Sequence, residues 1–198
     1  KIKELLKCIV PRKLFLPVTP GSKYISIGGM VAADVHGKNH HSCGSFRHHI
    51  IELKIVNEKG EILTCSKNKN KNLFNYSIGG MGLTGVIYSC KFKLIKINSD
   101  FILQEKFKTE NLKDTILKLK QSNKWEYNVG WIDTSAKNHK LGRSIIFKGK
   151  HIKTTKKNLL SFEEKTILTF HEIFPNWLMS KFIIKILNFF YYLLSYPK

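Results

Sequence analysis

Apolar and polar positions along this chain predict most of its elements. Residues 2–8, IKELLKC, read as a short helix stopped near Pro11. LFLPVTPG, residues 14–21, reads as extended chain, its two prolines and final glycine suiting a strand edge and a turn. KYISIGG then alternates as a strand running into a glycine turn, and VAADVHG suits one or two helical turns. IIELKIVNEKGEILTCS predicts two strands around a turn at Asn57–Gly60. NKNKNLFNYSI predicts a short helix packing the apolar patch of Leu73, Phe74 and Tyr76. GLTGVIYSCKFKLIKI, residues 82–97, reads as one long strand, buried at its start and half-exposed at its end.

The character of the chain changes near residue 100. NLKDTILKLKQSN predicts an amphipathic helix with Leu112, Ile116 and Leu119 on its apolar face. WEYNVGWIDTS and LGRSIIFKGK read as strands of a second sheet, and 151–166 as a polar, basic loop or linker. A helix-prone block, WLMSKFIIKILNFFYYLLSY, fills 177–196. A membrane span needs about 20 largely uncharged apolar residues, and Lys181 and Lys185 interrupt this one. A core or interface helix is therefore expected ahead of an amphipathic helix on a membrane surface. The pattern is α+β and divides the chain into 1–98 and 99–198.

With 198 residues, 42% of them hydrophobic, the chain can pack one substantial domain or one and a half small ones. It starts at Lys1 and ends in an apolar run, so a piece of a longer protein is expected. The formal charge of +20 suggests nucleic acid or an anionic surface as partner. The lysines are spread out, however, and the scarce arginines are Arg12, Arg47 and Arg143. No nucleic-acid-binding motif is present. Heavy use of Lys, Asn and Ile is what an AT-rich genome imposes, and no nucleic-acid partner is expected. The four cysteines form no CxxC pair, so a reducing compartment is the simpler expectation. No secretory signal is visible, and a cytoplasmic or membrane-peripheral bacterial protein is expected.

The chemistry concentrates in SIGGMVAADVHGKNHHSCGSFRHH, residues 26–49, whose opening pentapeptide returns at 77–81 as SIGGMGLTG. A metal cluster is the weaker reading, since His36 and His40 flank Gly37 and Asn39 and no HExxH exists. Neither GxxxxGK[ST] nor GxGxxG is present. The paired glycines Gly28–Gly29 and Gly79–Gly80 can turn backbone amides towards an anion, or can be tight strand exits with no ligand.

PVTPGSKYISIGGMVAADVHGKNHHSCGSF, followed by LFNYSIGGMGLTGVI, resembles the FAD-binding domain of flavin oxidoreductases of the vanillyl-alcohol-oxidase (PCMH-type) fold. Within these it is most similar to the decaprenylphosphoryl-β-D-ribose 2′-oxidase family, whose HGKNHHS motif stands unbroken at 36–42. The likeness covers at least residues 11–97 and continues more loosely through 127–144 and FPNWL, 174–178. It implies that 1–98 is the second subdomain of an FAD-binding domain and 99–198 the beginning of a sheet-based substrate domain.

It further implies FAD contacts at Gly21, Ser26, Ile27, Gly28, Gly29, Ala33, Asp34, Val35, His36 and Ile87. His36 and Lys38 become the candidate catalytic residues, and Lys38 and Trp131 the candidate substrate contacts. His36 is expected beside the flavin, as proton carrier or merely as orienting partner. The implied reaction oxidises the 2′-hydroxyl of a polyprenylphosphoryl ribose to a ketone for cell-envelope polysaccharide synthesis, a partner reductase completing an epimerisation. The family's glycine-rich N-terminal subdomain is expected before residue 1, and its proton acceptor beyond Lys198. An aldonolactone oxidase on the same fold, taking a small sugar lactone, is one alternative. A truncated, non-catalytic basic binding module is another.

Overall fold

The computed structural model describes residues 1–154 and 175–196. Its contacts fall into two units, Lys1–Asp100 and Phe101–Ile152, the second continued by the described residues 175–196. In the first unit, helix α1 (Ile2–Ile9) buries Ile2 and Ile9 and ends in a tight turn around Pro11, as expected. Of the extended segment 14–21 only β1 (Leu14–Phe15) is strand, since Pro17 and Pro20 bring no N–H to a ladder. It pairs antiparallel with β5 (Ile95–Lys96).

The hairpin around Asn57–Gly60 is present as β2 (Ile50–Val56) and β3 (Ile62–Ser66). Asn57 Oδ1 organises the turn, accepting the backbone N–H of Lys59 at 3.0 Å and of Glu61 at 2.9 Å. β2 is the middle strand, flanked on its other side by β4 (Val86–Phe92). A register shift between Ile50 and Glu52 changes the phase of alternation, so Ile50, Leu53 and Ile55 all join one buried cluster with Met30, Val31, Phe46 and Phe74.

Two expectations for this unit need correcting. The single strand over 82–97 is broken, because residues 82–85 form a turn and Lys93–Leu94 separate β4 from β5. Its start is not buried. Val86 is 70% exposed and Tyr88 65%, since β4 is an edge strand with this face uncovered among the described residues. In helix α4 (Lys71–Ser77), Phe74 is buried and Leu73 packs on the core, whereas Tyr76 points to solvent.

The second unit is a three-stranded antiparallel sheet with β8 (Ser144–His151) between β6 (Ile102–Thr109) and β7 (Tyr127–Ile132). β7 and β8 are the two expected strands, and β6 is an additional one. Helix α5 (Leu112–Gln121) forms where expected, capped by Asn111 Oδ1 on the N–H of Asp114 at 3.0 Å. Its buried contact differs from the apolar face read from the sequence, for Leu112 and Ile116 are exposed and Leu119 only half-buried. Thr115 is the buried residue, with Oγ1 2.6 Å from Thr109 Oγ1 and 3.1 Å from Ser144 Oγ. Hydroxyls at the strand ends need partners once buried, and Thr115 supplies them.

The block 177–196 contains helix α6 (Lys181–Leu194). No helix among the described residues is long and apolar enough to cross a membrane. α6 meets the sheet through polar contacts. Asn188 Nδ2 donates to Asp133 Oδ1 at 3.1 Å and to Ser135 Oγ at 3.2 Å, and Tyr192 Oη donates to the Thr109 carbonyl at 3.0 Å. The Arg143 guanidinium lies 4.5 Å from the Tyr192 ring centroid and pairs with Asp133 at 2.8 Å. Of the loop expected over 151–166, residues 155–166 lie outside the described residues, as does Phe174 of FPNWL.

Candidate functional site

The two SIGGM copies have the same sequence and opposite structures, and neither follows a strand. In the first, Ser26 caps helix α2 (Ile27–Ala32), its Oγ accepting the Gly29 N–H at 3.0 Å. This corrects the expected strand and glycine turn, because a serine in extended conformation before a helical run satisfies one orphan N–H. In the second copy, Ser77 ends α4, and Gly79 turns the chain with φ of 80°. A Cβ on Gly80 would lie 2.0 Å from the Tyr76 carbonyl oxygen, so only glycine fits there.

The copies are neighbours. The Gly79 N–H donates to the Val31 carbonyl at 3.0 Å and the Met81 N–H to the Ala32 carbonyl at 2.9 Å. Arg47 locks the junction from the side. Its backbone N–H and Nε donate to the two oxygens of Asp34, at 2.9 and 3.2 Å. Its Nη atoms reach the carbonyls of Asn75 and Ile78 at the end of α4. The Asp34 carboxylate is thus engaged by Arg47, and Asp34 turns the chain with φ of 42°.

Across the top of α2, Ser26, Gly29 and Ala33 recur at three- and four-residue spacing and are exposed, while Met30 and Val31 are buried beneath them. The surface is therefore helical backbone almost without side chains. Gly28 lies beside Ile87, since a Cβ on residue 28 would come 3.8 Å from the Ile87 Cβ. Ile27 and Val35 pack partly against the core, and Gly21 is exposed in open space.

The segment 36–45 forms a closed loop. His36 bridges Ser45 in antiparallel fashion, and the Phe46 N–H donates to the Val35 carbonyl at 2.8 Å. Buried Asn39 ties the loop to the proline-rich segment, its Nδ2 donating to the Pro17 carbonyl at 2.8 Å. Gly37 allows that approach, because a Cβ there would sit 2.9 Å from the Thr19 carbonyl oxygen. The helix α3 (His40–Cys43) fills the loop, and the His36 and His40 rings meet edge-on at 5.1 Å. His48 and His49 bond to backbone carbonyls of their own turn, at Ser45 and Cys43. Among the described residues no group of three or more His, Cys, Asp or Glu is arranged to hold a metal. Lys38 is exposed and has no hydrogen bond or ion pair among them.

All four cysteines are free, and burial pushes the Cys90 thiol up to about 12 and that of Cys65 upward, so neither offers a thiolate near neutrality. Trp131 belongs to the second unit, on β7, where its ring meets Tyr191 of α6 edge-on at 4.9 Å.

The chemistry this edge suits is that of a flat ligand with anionic parts. Bulk-free helical backbone, a turn from the second copy beside it, and the imidazole of His36 and ammonium of Lys38 follow one another along the first unit. The residues fit FAD in that respect: a cofactor ring needs walls without side chains, and Ser26, Gly29 and Ala33 supply one. Sequence reasoning missed Arg47, the residue that joins the two copies. Its signal was rarity, for two of the three arginines in a lysine-rich chain each pair with an aspartate.

Comparison with known proteins agrees with this geometry. Residues 1–66 match the family described as FAD binding domain. The chain is 32% identical over 190 residues to decaprenylphosphoryl-beta-D-ribose oxidase of Mycolicibacterium smegmatis, covering 91% of this chain and 41% of that protein. It is 28% identical over 151 residues to an uncharacterised protein of Streptomyces coelicolor, covering 76% and 41%. A cytokinin dehydrogenase of Oryza sativa subsp. japonica shares 36% identity over 72 residues, covering 36% of this chain and 13% of that protein. The chain thus spans about two fifths of the length of the first two relatives, 41% in each case. The glycine-walled helix and the family match agree on an FAD binding domain over residues 1–66, and the similarity to an oxidase runs through most of the chain.

Proposed function

We propose that this chain supplies the second FAD subdomain, residues 1–98, and the first part of the substrate-binding domain, 99–198, of an oxidoreductase that oxidises a sugar hydroxyl. The substrate is the 2′-OH of a polyprenylphosphoryl-β-D-ribose, the product a ketone used in cell-envelope polysaccharide synthesis, and a partner reductase completes the epimerisation. The protein works in the cytoplasm or at the membrane periphery of a bacterium. The observation that carries this reading is the bare face of α2 leading into the HGKNHH loop, with the second SIGGM turn bonded alongside.

Gly21, the Ser26–Gly29 segment, Ala33–His36 and Ile87 hold FAD, largely through backbone. Bound FAD supplies the two-electron oxidation of the alcohol. His36 orients the reacting hydroxyl or relays its proton at an imidazole nitrogen. The Lys38 ammonium, free of protein partners among the described residues, takes a sugar hydroxyl or the phosphate. Trp131, in the second unit, is the other proposed substrate contact.

Anaerobic mixing of the full-length flavoprotein with polyprenylphosphoryl ribose should bleach its oxidised-flavin absorbance. Bleaching by an aldonolactone instead would transfer the reading to lactone oxidation. A colourless protein that ignores added FAD would mark a non-catalytic module. Lys38→Ala should retain FAD and lose about tenfold or more in kcat/KM, the scale of one charge-assisted contact. Loss of FAD with unchanged turnover per remaining flavin would show that Lys38 serves the cofactor instead.

A further inference from the structure

The loop that carries Lys38 is closed at its base, where His36 bridges Ser45 and the Phe46 N–H reaches the Val35 carbonyl. Farther along, Asn39 Nδ2 donates to the Pro17 carbonyl at 2.8 Å, across 22 residues of sequence. Lys38 and His40 on either side are exposed, whereas Asn39 is 2% exposed. Asparagine is mostly a surface residue, and here it is buried with half of its amide idle. Its Oδ1 has no hydrogen-bond partner among the described residues. The amide cannot be turned over, since the Pro17 carbonyl only accepts and needs the nitrogen facing it. A buried oxygen left unpaired costs stability, and an apolar side chain of the same shape would avoid that cost. Such a side chain would lack the donor to Pro17.

We infer that Asn39 is a positioning residue, its amide fixing the HGKNHH loop on the Pro17 segment so that the neighbouring Lys38 ammonium is presented to the substrate. This rests on the proposed role of Lys38 as a substrate contact. The tie spreads through main chain. The Asn39 carbonyl accepts the N–H groups of Ser42 and Cys43, at 3.0 and 2.9 Å, and the Gly37 carbonyl accepts that of His40 at 3.2 Å. Gly37 belongs to the same contact, because a Cβ there would sit 2.9 Å from Asn39 Oδ1 and 2.9 Å from the Thr19 carbonyl oxygen. The loop closes on residues 17–19 because residue 37 has no side chain. Lys38, without a hydrogen bond or ion pair among the described residues, is placed by the backbone beneath it.

The test is steady-state kinetics of the full-length flavoprotein on polyprenylphosphoryl ribose, expressed per bound flavin. Asn39→Asp keeps the shape of the side chain and removes the donor. It should raise KM about tenfold, the scale of one hydrogen bond, with kcat within about twofold of the wild type and FAD retained. Gly37→Ala reaches the same tie from its other side and should share the KM shift. A merely structural role would lower flavin occupancy or the unfolding temperature and leave KM per flavin unchanged. Added to Lys38→Ala, Asn39→Asp should cost no more than about twofold further, because the group it places is already gone. Amide hydrogen exchange at His40, Ser42 and Cys43 should be faster in Asn39→Asp than in the wild type. Losses that multiply in the double variant, a wild-type KM in both Asn39→Asp and Gly37→Ala, or unchanged exchange overturn the inference. Lys38→Ala with wild-type kinetics sinks the proposed role of Lys38 and the inference with it. An impaired Lys38→Ala beside a normal Asn39→Asp sinks the inference alone.

Discussion

Replacing Asp133 with alanine is expected to destabilise the second unit by about 3–5 kcal/mol, the cost of removing one partner from a buried ion pair. Asp133 is 1% exposed and receives Arg143 Nε at 2.9 Å, the Ser135 N–H at 2.9 Å and Asn188 Nδ2 at 3.1 Å. Its loss strands the Arg143 guanidinium and frees α6 from the sheet. Chemical unfolding of the full-length protein, followed by tryptophan fluorescence, measures it. The double replacement Asp133→Ala with Arg143→Met should recover much of the loss, because no charge is left unpaired. A single variant as stable as the wild type would show that the pair contributes nothing.

The same carboxylate gives stability a direction with pH. Burial pushes its pKa up, but the hydrogen bonds from Ser135 and Arg143 outweigh burial and hold it below the ordinary aspartate value. A carboxylate with a depressed folded pKa contributes its full stability above the unfolded value, about 3.9, and loses it as pH falls through the folded one. Acid unfolding of the second unit should therefore steepen below about pH 4, and Asp133→Ala should flatten that limb.

Replacing Arg47 with alanine is expected to weaken FAD binding by about tenfold or more, since several charge-assisted hydrogen bonds are lost at once. Arg47 touches no predicted cofactor contact except Asp34, so the effect comes through position. Without it the turn at Gly79 is free to part from α2, and the Asp34 carboxylate loses the partner that holds its strained backbone. Arg47→Lys should rescue little, because a single ammonium cannot serve both a carboxylate and two carbonyls. Flavin released during dialysis, compared with Lys38→Ala as a variant that keeps FAD, separates positioning from direct contact. Full flavin occupancy in Arg47→Ala would refute the clamp.

How much of this was legible depends on where the information lies. The hairpin at 50–66 was readable because alternation and an Asn–Gly turn are local signals. The HGKNHH loop was readable as a motif, though its tie to Pro17 through Asn39 was not, since that bond spans 22 residues of sequence. SIGGM was misread because five identical residues start one helix and finish another, decided only by what precedes them. β6 was missed because ILQEKFKT, an edge strand, mixes charges into its alternation as edge strands do. For α5 and α6 the helical period was visible, but periodicity names two faces without saying which one is covered. In both helices a polar group on the sheet chose the face, through Thr109 and Ser144 for α5 and Asp133 for α6.

The seam between the repeated pentapeptides is written in main-chain atoms, from Gly79 to Val31 and from Met81 to Ala32. Such a seam depends on backbone N–H groups more than on side chains. Saturation mutagenesis should accordingly find position 81, whose φ is 52°, tolerant of glycine and unbranched side chains but not of proline or β-branched residues, and position 80 intolerant of anything but glycine, a contrast that composition or hydropathy would never suggest for neighbouring residues.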